Sequence, residues 1–451
     1  MTDYIRKLID AGMAPGAAGA KEQWFAAALG ALRAHGVAGE RAGALFAPGR
    51  IEVLGKHTDY AGGRSLLCAV ERGVCLLVAP RTDATIRVMA AQSGETLEFP
   101  FSPDLEPKIG HWSNYPMTVA RRLARNFPES RVGADIAFAS DLPVAAGVSS
   151  SSALVVALYL ALASVNAFEE TEAYRREITS REALASYLGC VENGESFGAL
   201  AGDRGVGVFG GSEDQTAILC CRPRRLSRYS FCPVRAEGDV PMPADRVFVI
   251  ADSGVVAEKA GAARDAYNRA SVATRVITRL WNGATGRGDG SLADALASGP
   301  GAVEALRDLL RHAEHAEYPA QVLLDRMEQF NDESTRIIPA AYDALEAGDL
   351  ERFGSLVDES QGNVERWLGN QIPQTIRLQR DARALGAAAA SAFGAGFGGS
   401  VWALVGEADA EEFAQEWLAR YRKAFPAAGP GARTFITGAG PAALELIPSK
   451  R

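Results

Sequence analysis

Hydrophobic and polar positions follow two rhythms along this chain. Short apolar runs, β-branched or alternating with polar residues, predict strands at GVCLLVAP (73–80), ATIRVMAA (84–91), GADIAFASDLP (133–143), RVFVIADSG (246–254) and SVWALVG (400–406). A polar turn around Thr82 and Asp83 separates the first two. Longer Ala/Leu-rich stretches of helical spacing lie between, one of them opening at Ala153. The C-terminal half reads as mostly helical to about Ala390, then glycine-rich, then strand-like again. The mixture predicts an α/β (α+β) fold. Residues 222–245, rich in Arg, Pro and Ser, read as a crossover between two domains, 1–240 and 241–451. Neither an internal repeat nor a low-complexity segment is visible.

Composition narrows the function class. The 451 residues are 47% hydrophobic and 23% charged, enough to bury a sizeable core. Lys+Arg 47 against Asp+Glu 55 leaves a net charge of −8, which argues against a nucleic-acid or anionic-membrane binder. The longest apolar run, Ala153 to Val165, falls short of the roughly 20 residues that span a bilayer. The opening MTDYIRKLIDAGM has helical spacing and lacks the apolar centre of a signal peptide. None of the six cysteines stands in a C-x-x-C pair, and Cys220-Cys221 reads as strand packing. A reducing cytoplasmic location is the expectation. His312 and His315, among alternating charges, read as a solvated helix face.

Three glycine-rich segments concentrate the polar chemistry. In APGRIEVLGKHTDYAGG (47–63), Gly49, Gly55, Gly62 and Gly63 bracket Arg50, Glu52, Lys56, His57, Thr58 and Asp59. It is not a Walker A loop, because the glycine spacing differs and His57 follows Lys56. In DLPVAAGVSSSSALVVALYLAL (141–162), a strand and a Gly147 turn lead through four serines into a long apolar helix. Unpaired N–H groups and the dipole at such a helix start favour a phosphate, and serine hydroxyls add donors and a magnesium ligand. An ordinary N-cap needs only one serine. In SAFGAGFGGSVWALV (391–405), Gly394, Gly396 and Gly399 match G-x-G-x-x-G. The turn reads as helix to strand, however, whereas a dinucleotide turn runs strand to helix. A protein kinase is excluded, since H-R-D and D-F-G are missing.

In order and spacing these segments resemble the GHMP small-molecule kinases, and within them the galactokinase branch. Gly49-Arg50, Gly55-Lys56-His57-Thr58-Asp59-Tyr60 and Gly62-Gly63 are similar to that branch's sugar signature. Pro143, Gly147 and Ser149 to Ser151 are similar to the family's P-x-x-x-G-L-S-S-S phosphate loop. The resemblance implies a two-domain GHMP kinase-like fold, with an N-terminal ribosomal-S5-domain-2-like lobe and a C-terminal GHMP lobe. It implies ATP as phosphoryl donor, Mg²⁺ as cofactor and a sugar such as galactose, phosphorylated at its 1-hydroxyl. It further implies no nucleic-acid or membrane partner, and a monomer or weak homodimer.

The same resemblance assigns residues. Trp112, in Trp112-Ser113-Asn114-Tyr115, would contribute to the adenine pocket, and Gly147 with Ser149, Ser150, Ser151 and Ser152 would hold the phosphates. Asp214 would be the catalytic base, Gly211 would lie beside the sugar, and Arg50 would orient Asp214. His57, Asp59 and Tyr267 would contact the sugar. Ser151 and Glu195 would hold magnesium, with Glu192 one helical turn away as the alternative. Phosphoryl transfer to a hydroxyl needs such parts: in-line positioning, charge neutralisation and a proton acceptor. Two positions of the sugar signature depart from the branch, which usually carries Asn in place of Glu52 and Glu in place of Lys56, and the glycine loop has Ser391, Ala392 and Phe393 where the usual polar residues precede Gly394. Either Lys56 faces the substrate, which would suit a uronic acid, or Glu52 and Lys56 pair locally and galactose still fits. A catalytically silent sugar and ATP sensor is the remaining alternative.

Overall fold

The computed structural model describes residues 3–108, 110–143, 146–255 and 262–449, and in it the apolar runs form two sheets. The first sheet begins with β1 (Gly43–Leu54), β2 (Arg64–Pro80), β3 (Thr85–Ala90), β4 (Glu95–Pro100), β5 (Ala134–Ser140), β6 (Arg225–Ser230) and β7 (Arg235–Pro241). The second holds β8 (Arg246–Asp252), β9 (Ala389–Ala392), β10 (Ser400–Gly406) and β11 (Arg433–Thr437) in the order β11-β8-β10-β9. A last strand, β12 (Leu444–Ile447), returns to the first sheet, which runs β12-β1-β2-β5-β3-β4 with β6 and β7 attached to β2. Only β3 and β5 pair in parallel; the other described pairings are antiparallel.

Every residue of β1 is buried, because both of its faces are covered. Ala44 and Phe46 pack with Phe25 and Leu32 of the helix Glu22–Ala34. Leu45 and Ala47 point the other way, into a cluster that holds Val155 and Val156 of the helix Ser150–Asn166. That cluster also contains Phe248 and Ile250 of β8 and Trp402 and Leu404 of β10, so one apolar core runs through both sheets. No helix among the described residues is long and apolar enough to cross a membrane.

Several sequence expectations are corrected here. Residues 222–245 are not a bare crossover but mostly the β6–β7 hairpin, whose Leu226, Tyr229 and Val240 are buried among polar neighbours. The third glycine segment joins strand to strand. The alanines before it, a helical composition, are wholly buried in β9 against β10, and packing overrides propensity there. The helix before His312 ends at Arg311, so His312, which is exposed, and His315, which is half-buried, lie beyond it rather than on one helix face. Cys220 ends the helix Glu213–Cys220 and Cys221 is buried after it, neither in a strand. The chain leaves the first sheet between Pro241 and Arg246, but β12 carries it back.

Candidate active site

A cavity of about 710 Å³ is lined from both sheets. Along β1, Ile51 and Val53 enter the core while Arg50 and Glu52 alternate with them and line the cavity. Arg50 is 4% exposed, and its guanidinium reaches across to the helix Glu213–Cys220. Its Nε donates to Asp214 Oδ1 at 2.8 Å and its Nη2 lies 2.7 Å from the same oxygen. Its Nη1 donates to the Gly147 carbonyl at 2.5 Å. Asp214 sits in the first turn of its helix, where the dipole favours a carboxylate.

The turn after β1 supplies the wall beside this pair. Asp59 Oδ2 accepts the Glu213 N–H at 3.1 Å. A Cβ on Gly211 would stand 2.5 Å from that oxygen, so only glycine admits the approach. Burial pushes the Asp59 carboxyl up to about 6 against the backbone hydrogen bonds it accepts. His57 has φ +60°, and its Nδ1 and Nε2 lie 2.9 Å from Tyr60 Oη and 3.0 Å from the Ala395 carbonyl. Burial, then the Arg326 charge, pushes its imidazole down to about 3, so the ring is neutral at physiological pH. Nε2 therefore donates to the carbonyl and Nδ1 accepts from the tyrosine, which ties the β1 turn to the glycine loop between β9 and β10. Tyr267, on the helix Ala262–Thr285, stands with its ring 4.9 Å from that of His57 and closes this end.

At the opposite wall Gly147 adopts φ +78° and Ser149 φ +56°, and the helix opens at Ser150 without a capping hydrogen bond from the Ser149 side chain. Gly147 and Ser149, Ser150, Ser151 and Ser152 all line the cavity. Val144 and Ala145 of the P-x-x-x-G stretch lie outside the described residues. Ser400 Oγ donates to the Ala146 carbonyl at 2.5 Å, and a Cβ on Gly394 would stand 3.2 Å from the Gly147 carbonyl. The glycine loop thus packs on the serine loop. Ser152 Oγ is within hydrogen-bond reach of Glu192 Oε2 (2.9 Å) and Asp214 Oδ2 (3.1 Å). Gln215 Nε2 donates to the same Glu192 oxygen at 2.7 Å. Trp112 and Phe138 line the far end, with ring centroids 6.2 Å apart.

Two expected site residues are not brought together with the rest. The helix Arg181–Asn193 ends in Gly194 at φ +92°, which turns the chain outward. Glu195 is therefore half exposed, pairs with Arg275 at 2.6 Å and does not line the cavity, whereas Glu192, on the helix itself, does. Lys56 is fully buried and is not among the lining residues. The left-handed Gly55 (φ +118°) turns it away from the cavity, and its carbonyl accepts from Gln329 Nε2 at 3.2 Å. No ion pair joins it to Glu52 among the described residues, although its charge favours the Glu52 carboxylate. Sequence reading missed Arg326 and Glu333, which buttress the β1 turn from the opposite half. Arg326 donates to the His57 carbonyl, and Glu333 Oε1 accepts the Gly55 N–H at 2.8 Å. Nothing local marks either residue; the fold alone brings them there. Glu213 could have been noticed from its place beside Asp214.

Comparison with known proteins points to one family. Residues 34–80 match the galactokinase galactose-binding signature, 114–219 the GHMP kinases N terminal domain and 341–423 the GHMP kinases C terminal domain. A galactokinase of Roseiflexus sp. (strain RS-1) is 31% identical over 389 residues, covering 84% of this chain and 87% of the relative. One from Actinobacillus pleuropneumoniae serotype 5b (strain L20) is 26% identical over 388 residues, covering 84% and 89%. The crystal structure of Lactococcus lactis galactokinase complexed with galactose shares the fold, with a TM-score of 0.74 at 21% identity over 93% of this chain and 99% of that one. The sugar signature, the serine loop and the glycine loop thus stand in a shared order and a shared fold, and the chain belongs to the galactokinase family of the GHMP kinases.

Proposed function

We propose that this protein transfers the γ-phosphoryl group of ATP to the anomeric 1-hydroxyl of galactose. The observation that carries the reading is the pairing of buried Arg50 with half-buried Asp214, set between the serine loop and the sugar-signature turn. ATP would lie with its base near Trp112 and its phosphates at the N-terminus of the serine helix, where Ser149 supplies no side-chain cap and the dipole favours anions. The sugar would occupy the end walled by Asp59, His57, Gly211 and Tyr267. Asp214 accepts the proton of the attacking hydroxyl, and Arg50 holds it in place and favours its ionised form.

Magnesium fits the residues present. Among the described residues no group of three or more His, Cys, Asp or Glu forms a cage, and Mg²⁺ on nucleotide phosphates needs only one or two protein ligands. We assign these to Ser151 and Glu192 rather than Glu195. When bound, the ion neutralises phosphate charge. The sugar end is rich in carboxyl groups, with Glu52, Asp59, Glu213 and Asp214 all lining it and Lys56 behind the wall. This disfavours an anionic sugar, so a neutral hexose is the better fit than a uronic acid. No observation favours the silent-sensor reading.

Asp214→Asn is expected to leave the fold intact and lower kcat with galactose by about 10²-fold or more. A loss under about tenfold would show that Asp214 only positions the sugar. In a substrate panel galactose should exceed galacturonate. One like-charge contact at about 5 Å and an effective dielectric of about 20 costs roughly 3 kcal/mol, and a third of that is already about fivefold. Lys56→Glu is expected to cost about 3 kcal/mol or more of stability, read from urea unfolding, with the preference for galactose unchanged. A switch of preference would return Lys56 to the pocket. In magnesium titrations of the initial rate, Glu192→Gln should raise the half-saturating concentration by about tenfold, roughly the loss of one charged ligand, while Glu195→Gln stays near wild type. The reverse ranking would restore Glu195.

A further inference from the structure

Five carboxyl groups and three cations, Arg50, Lys56 and Arg326, crowd the buried end of β1 and its turn. Glu52 and Glu213 are 3% and 5% exposed, both line the cavity, and their side chains are in hydrogen-bond contact. An ionised carboxylate only accepts hydrogen bonds, so two in contact need a proton between them. Lys56 Nζ, also buried without a hydrogen-bond partner, forms no ion pair with either carboxylate among the described residues, and the donors nearest Glu213 are committed. Ser65 Oγ donates to Glu213 Oε2 at 2.6 Å, and Arg50 Nε, 3.8 Å from Glu213 Oε1, is bonded to Asp214. Glu52 Oε1 is buried with no hydrogen-bond partner among the described residues. We propose that Glu52 and Glu213 share a single proton at neutral pH and act as a positioning pair, leaving Arg50 to Asp214 and presenting a hydrogen-bond donor at the sugar end of the cavity.

The groups facing the pair support this. From β1 and its turn come Arg50, Lys56, Asp59, Tyr60 and a neutral His57; from the helix start, Asp214; from the opposite half, Arg326, Glu333 and Tyr267. With all five carboxyls ionised, the three buried cations would be outnumbered. Burial pushes the Glu52 carboxyl up to about 7, against Arg50 and Lys56, and pushes Glu213 well above the carboxylate range. The titration belongs to the pair, not to either residue alone. Loss of the shared proton would place a second full charge beside Arg50 and weaken its hold on Asp214.

The functional half of the proposal rests on the galactose-kinase reading; the shared proton does not. Infrared difference spectra of the full ligand-free chain, taken between about pH 6 and about pH 9, read the proton directly. The expected result is a protonated-carboxyl carbonyl band that shifts in D₂O, titrates away as pH rises and is lost in both Glu52→Gln and Glu213→Gln, where an amide donor replaces the proton. Asp59, pushed up to about 6, adds its own band near the acid end, so no band in wild type above about pH 7, or a band there that persists in either variant, overturns the pair. Should Glu213→Gln fail to fold, wild type and the isosteric Glu52→Gln decide the matter. In turnover, wild-type kcat/KM for galactose should fall about tenfold per pH unit above the pair's apparent pKa, mainly through KM, and Glu52→Gln should lose that limb. An identical alkaline limb in wild type and Glu52→Gln counts against the positioning role. A titrating band in a chain that phosphorylates no galactose refutes the kinase reading alone. Galactose turnover without the band refutes the pair alone.

Discussion

A guanidinium buried at the end of a central strand has to be answered by carboxylates, and most of the site follows from that need. Burial disfavours the Arg50 charge, yet Asp214, then Glu213 and Glu52, outweigh it and hold the group protonated above its ordinary value. To bring Asp214 within 2.7 Å of Arg50, a helix must start opposite β1, and Gly211 must let its backbone pass against Asp59. The same guanidinium binds the Gly147 carbonyl, so one residue links the sugar end, the base and the phosphate loop. Removing it would strand several buried acids at once.

The second half of the chain supplies support rather than the pair itself. Its glycine loop packs on the serine loop through Ser400 and Gly394, and it accepts the His57 hydrogen bond at the Ala395 carbonyl. Arg326 and Glu333 hold the backbone of the signature turn from behind. Glu333 opens a π-helical turn at the end of its helix, the kind of irregularity that re-aims a side chain. The shared apolar core keeps the two sheets in one register, and the distances across the cavity depend on it.

What could be read from sequence was whatever depends on local pattern. β8 and β10 lie where continuous apolar runs predict them, and the serine helix opens within the serine run. The family motifs pointed to Arg50, His57, Asp59 and Gly147, all of which line one cavity. The hairpin β6–β7 was hidden because its polar residues outnumber its buried ones, and β9 because alanine carries a helical bias that burial overrides. Lys56 and Glu195 were misplaced for one shared reason. Each follows a glycine with positive φ, and the direction taken after such a turn is set by what packs against it. Glu52 and Lys56 stand four positions apart in sequence, yet one lines the cavity and the other is sealed behind it.

The central claim is that Arg50 and Asp214 act as one unit in phosphoryl transfer to galactose. A double-mutant cycle on kcat/KM with Arg50→Lys and Asp214→Asn tests it most directly. If the two act together, the double variant should be within about threefold of the more impaired single variant, since either change alone already breaks the unit. Losses that multiply independently, so that the double variant shows the product of the two single effects, would contradict it.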